Sequence, residues 1–91
     1  MEIADLPSEN DAAAVLKFAM SFNGYKHHGS FGACAEAATQ RKRDTVEAVR
    51  NELFFMCRTA RHQGNNGYLE TYRELRPILL ELLRRSADRQ P

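Results

Sequence analysis

No stretch of this 91-residue chain is apolar over the ~20 residues that a membrane-spanning helix requires. The first residues carry acids and no basic lead into an apolar run, so no secretory signal is expected and the protein reads as cytoplasmic. Net charge is nearly absent too: 13 Lys and Arg against 12 Asp and Glu leave +1. That balance supplies no general attraction to nucleic acid or to an anionic membrane. Nor does any helical segment set a strong apolar face against an opposite face of lysine and arginine alone, the pattern of a membrane-surface helix.

The chain is equally short of the groups that carry chemistry. There is no glycine-rich phosphate loop and no close pair of carboxylates among apolar residues. His27, His28 and His62, with Cys34, are the nitrogen and sulfur donors from which a metal site would have to be made. Adjacent His27 and His28 match none of the usual ligand spacings, and neighbouring side chains in a loop diverge. No metal and no cofactor are expected. The two cysteines, Cys34 and Cys57, both fall on apolar helix faces, which points to buried thiols. One catalytic reading remains as an alternative. Cys34 lies near the start of a predicted helix, where a thiol pKa falls, with His27 or His28 just upstream.

What is present is helical periodicity. Residues 44–62 are the most informative: Val46, Val49, Leu53, Met56, Cys57 and Ala60 share one face at about 100° per residue. Phe54 lies at the edge of that face, and Phe55 points away from it, beside Ala48, Asn51, Thr59 and His62. A helix apolar nearly all round at its middle is central in a core or touches a second partner. Asp44 is expected to cap this third helix, and Gly64 to end it.

The other helices are arranged around that one. Ser8 is expected to cap a first helix from about residue 9 to 21 or 22, with Ala12, Val15, Leu16, Ala19 and Phe22 on its inner face. Residues 23–30 read as a structured loop holding Tyr25, Lys26, His27 and His28 between two glycines. Ser30 then caps a short second helix, from Phe31 to about residue 40, whose face is Phe31, Cys34, Ala35 and Ala38. A fourth helix, from Tyr68 to about residue 86 with Asn66 as its cap, carries Tyr68, Tyr72, Leu75, Leu79, Leu82 and Leu83 on one stripe. The stripe continues across Pro77, so one kinked helix is expected rather than two. The fold class is therefore all-α: a single domain, a bundle of four helices with the second short and the fourth kinked, and with residues 1–7 and 87–91 frayed.

These features point to a noncatalytic protein-interaction module, whose partner is another protein or a second copy of the chain. The expected contact residues are Tyr25, His27 and His28 in the loop, and Phe55, Arg58, Arg61 and His62 on the third helix, since aromatics and arginine are enriched at interface cores. Phe55 is expected under the fourth helix, an end of the first helix, or a second subunit. The alternative from another class is weak nucleic-acid binding through a basic patch of Arg41, Lys42, Arg43 and Arg50.

Overall fold

The computed structural model describes residues 5–88. Among them there are five helical segments and no strand: α1 (Ala12–Met20), α2 (Gly24–His28), α3 (Phe31–Thr39), α4 (Val46–Gln63) and α5 (Tyr68–Asp88). The α2 segment is little more than one turn. The architecture is thus the all-α bundle of four main helices, one of them bent. No helix among the described residues is long and apolar enough to cross a membrane.

Local chemistry explains where each helix starts and stops. The first begins three residues later than Ser8 suggested. Ser8 spends its hydroxyl on the Asn10 amide and its carbonyl on the Asp11 amide, which makes a turn. The Asp11 carboxylate then caps α1 by accepting from the Ala14 amide at 3.1 Å. Residues 23–30, expected as a loop, hold a helical turn instead: Gly24 opens α2, which Asn23 caps through the Lys26 amide. Gly29, at φ 86°, supplies the left-handed exit that a residue with a Cβ resists. Ser30 caps α3 as expected. At α4 the cap is Thr45 rather than Asp44: its hydroxyl accepts from the Ala48 amide, and Gly64 closes the far end. Before α5, the Asn65 side chain takes the Gly67 amide, and Asn66 offers its backbone carbonyl to Leu69 instead of a side-chain cap.

Packing makes α4 the middle of the molecule. Val49, Leu53, Cys57 and Ala60 form one buried stripe against Val15 and Ala19 of α1 and Tyr72, Leu75 and Leu79 of α5. A second, smaller cluster lies on another side of α4, where Phe54 meets Phe22 and Cys34. Met56, expected on the inner face, is 37% exposed; the buried face is rotated toward Phe54 instead. Leu6 is also buried, and the Pro7 carbonyl accepts from the Tyr72 hydroxyl at 2.5 Å and from Arg76 Nε at 3.4 Å. The lead-in is therefore anchored from residue 6, where fraying was expected; residues 1–4 and 89–91 lie outside the described residues. At the other end the backbone stays helical to Asp88.

α5 runs through Pro77 as one bent helix. Leu75 and Leu79, on either side of the proline, are each 1% exposed, while Pro77 itself faces solvent. The apolar stripe holds the two halves in line, and the backbone group freed by the ring lies on the wet side. Because packing and not the proline defines the helix, Pro77→Ala should remain folded, with a melting temperature equal to or above that of the unaltered chain. A melt monitored by circular dichroism checks this. Loss of the cooperative transition would mean that the bend itself is required for packing.

Candidate functional site

The smaller cluster is built on a close approach. An added Cβ at Gly24 would lie 2.7 Å from Cys34 Sγ, 2.8 Å from a Phe54 ring carbon and 2.9 Å from Asn51 Oδ1. Only glycine lets α2 sit this deep against α3 and α4. At the contact, Cys34 Sγ donates to Asn51 Oδ1 at 2.9 Å, and Asn51 Nδ2 donates to the Cys34 carbonyl at 3.0 Å. Asn51 is 1% exposed, so these two bonds fix both ends of a buried amide that would otherwise cost about 1–3 kcal/mol.

Over that base the aromatic side chains fall into two groups along α4. Toward its N-terminal half, His27 stacks on Phe22 at 4.7 Å, and the Arg50 guanidinium lies 4.9 Å from the Phe22 ring and 5.7 Å from Phe18. His27 Nδ1 is 4.0 Å from Glu47. Toward the C-terminal half, Tyr25 meets Phe54 edge-on at 5.4 Å and Phe31 at 5.8 Å. Phe31 in turn meets Phe55 at 5.8 Å. Arg58 lies over both Tyr25, at 4.8 Å, and Phe31, at 5.5 Å.

A groove of about 600 Å³ opens beside this second group, lined by Met20, Phe31, Arg58, Thr59, Arg61 and His62. Phe31 is 48% exposed at its edge. Phe55, Thr59 and His62 continue along the same side of α4 at i, i+4 and i+7 spacing, the stripe by which a helix presents a face to something else.

The expected contact residues are thus partly brought together. Arg58, Arg61 and His62 line the groove; Tyr25 and Phe55 reach it through their contacts with Phe31, and Phe55 itself lines a smaller cleft with Arg43, Glu52 and Glu74. His27 belongs to the other group, on Phe22, and His28 is exposed on α2 with no ring or ion-pair contact. Phe55 is half-buried: Phe31 of α3 meets its ring, and Thr71 and Glu74 of the fourth predicted helix line the same cleft as Phe55. Phe31 was assigned to an inner face and is the residue that sequence reasoning missed. It is the first residue after the Ser30 cap, so its side chain leans past the start of α3 and across to Arg58 and Phe55.

The four cations of the expected basic patch do not form one surface. Arg43 is clamped by Glu52, through Nε at 3.1 Å and Nη2 at 2.7 Å, and by Glu74 through Nη1 at 2.6 Å. These hydrogen bonds hold the Arg43 proton more tightly than in water. Glu52 is 6% exposed, so the pair ties the α3–α4 connection to α4 and α5. Arg50 is folded onto phenyl rings, and burial lowers its pKa. Of the four, only Arg41 and Lys42 are exposed.

The Cys34 thiol is committed to Asn51. Burial raises its pKa, with the Arg58 charge pulling weakly the other way; burial likewise raises that of Cys57 against Arg61. Among the described residues, no group of three His, Cys, Asp or Glu side chains is placed to hold a metal. No protein-family model, curated protein or solved structure matches the chain.

The thiols generate a prediction. Above about pH 8.5 the unfolded chain loses its thiol protons while the folded chain keeps them. The unfolded state then binds fewer protons, so stability is complete at neutral pH and falls as pH rises through that range. The urea midpoint should be lower at pH 9.5 than at pH 7, and both thiols should resist a disulfide reagent at pH 7 until denaturant is added. Rapid labelling of Cys34 in the folded protein at pH 7 would contradict the buried, hydrogen-bonded thiol.

Proposed function

We propose that the protein is a noncatalytic interaction module that docks another protein on the α3–α4 surface around Phe31. The observation that carries the reading is the cluster itself: three aromatic rings in tilted contact, one after the next, with an arginine against two of them beside an open groove, and Phe31 nearly half exposed at its rim. Rigid aromatics and arginine at the edge of a concavity are the composition of interface hot spots. The rings have a packed base in Phe54 and Cys34, so the surface needs little reordering on binding. A cytoplasmic setting is part of the same proposal, supported by two unpaired cysteines. For nucleic-acid binding, the dispersal of Arg43 and Arg50 removes the sequence feature that favoured it.

The test is a pair of variants that separate binding from folding. Phe55 is only half-buried, so Phe55→Ala should cost about 1–2 kcal/mol, less than the ~3–5 kcal/mol of a core phenylalanine. Phe31→Ala should cost less still. Affinity capture from the native cells with the unaltered chain, with Phe31→Ala and with Phe55→Ala should then lose the same partner in both variants, while circular dichroism shows them folded. An exposed substitution away from the surface, Arg73→Ala, should keep it. Capture unchanged in the two phenylalanine variants would refute this surface, and loss only on charge reversal of Arg41 and Lys42 would favour nucleic acid.

A further inference from the structure

We infer that the groove takes an acidic segment of a partner protein, one that sets carboxylates beside an aromatic or aliphatic anchor. This rests on the docking reading above and adds the chemistry of the occupant.

The charge is segregated in a way that composition conceals. No Asp or Glu occurs between residues 12 and 35, and none between residues 53 and 69. These two segments supply all six residues that line the groove. Every acid of the chain lies outside them, so the groove wall is cationic in a protein of net charge +1. The C-terminal carbonyls of α4 offset about half a unit charge near Arg61 and His62, which leaves the wall positive.

The state of Arg58 sharpens the point. Its guanidinium carbon lies 4.8 Å from the centre of the Tyr25 ring and 5.5 Å from that of Phe31, and no carboxylate among the described residues pairs with it or with Arg61. Other arginines of the chain do find internal acids: Arg43 takes Glu52 and Glu74, and Arg84 and Arg85 share Glu81. A guanidinium packed beside rings still presents N–H edges, and such an edge matches a carboxylate in two parallel bonds. Because the rings already fix Arg58, pairing it costs little conformational freedom. The exposed edge of Phe31 beside it, with Met20 across the groove, accepts an apolar side chain from the same segment.

Two other occupants fit less well. In a two-fold dimer through this surface both copies would bring the same cationic patch, setting Arg58 and Arg61 of one near those of the other, and like-charge juxtaposition of that kind costs several kcal/mol. A nucleic acid is held by many phosphate contacts, about 6–10 for a strong salt-dependent complex, and this groove offers three cationic groups at most.

The test uses fluorescein-labelled twelve-residue peptides followed by anisotropy. One alternates Asp and Glu with Phe and Leu; a second replaces each acid by its amide; a third replaces each acid by lysine. The acidic peptide should bind with a saturable curve that weakens with salt. Its amide counterpart should bind roughly tenfold less tightly, the scale of one charge-assisted pair. Arg61→Glu, at an exposed position with no packing role, should abolish acidic-peptide binding and admit the lysine peptide. Phe31→Ala should weaken the acidic peptide without changing its salt dependence. Equal binding of the acidic and amide peptides would overturn the acidic inference and leave the docking surface standing. Absence of binding by the acidic peptide, a preference for a single-stranded oligonucleotide of equal length, or a stable dimer by light scattering that excludes the peptide would overturn it as well. A partner captured through Phe31 and Phe55 in the cellular experiment would show whether the docking reading survives that failure.

Discussion

The structure depends on a buried amide meeting a thiol. Asn51 is buried on α4, and both ends of its amide are satisfied by Cys34 of α3. A hydrophobic side chain there would remove the directional contact between α3 and α4, and the neighbouring face of α3 is built mostly of small residues that pack in many ways. The two hydrogen bonds to Cys34 specify one. Gly24 can then enter against the same pair, which brings α2 down and aims Tyr25 at Phe54. The aromatic series from Tyr25 through Phe31 to Phe55 follows from that placement. The groove is therefore a consequence of how α3 is docked, and its aromatic wall is positioned by a contact that touches neither Arg61 nor His62.

A second constraint works one residue beyond Asn51 on the same helix, at Glu52. The connection between α3 and α4 is short, and Arg41 adopts a positive φ of 49° within it, which is uncommon for a residue with a side chain. Two residues later Arg43 is fastened to Glu52 and Glu74. Removing one partner from a largely buried ion pair costs far more than the pair contributes, because the remaining charge keeps its desolvation. The cations that looked like a binding patch thus act as a strap between helices, and the surface charge that remains for a partner lies at the other end of α4.

Much of this was legible in the sequence, and the failures share a cause. The helix count, the inner stripes of α1 and α5 and the continuity across Pro77 follow from periodicity, which the core imposes directly. Phe55 was correctly singled out as having no place on the main stripe. What periodicity does not carry is which neighbour covers a flank. Phe54 faces α2 and Phe31 leans over Phe55 because of the glycine contact, a property of three distant positions at once. Capping was read one to three residues early at α1 and α4, since Ser8 and Asp44 are as good caps in isolation as Asp11 and Thr45. Arg43 and Arg50 show the same limit for charge: a run of cations in sequence says nothing about acids that arrive from other helices. The signal that would have located the groove is the paired absence of acids in residues 12–35 and 53–69, which only gains meaning once those segments are known to face one another.

The central claim is that the Asn51–Cys34 contact holds α2 and α3 onto an otherwise self-sufficient packing of α1, α4 and α5. Hydrogen exchange on Asn51→Ala tests it most directly, because it reports each helix separately. The account predicts that amides of α2 and α3 lose protection by several orders of magnitude more than those of α4 and α5, with the Tyr72 and Leu75 region still protected. Equal loss of protection in all five helices would mean that the bundle is one unit with no separable clamp, and unchanged protection in α3 would mean that Asn51 does not hold it.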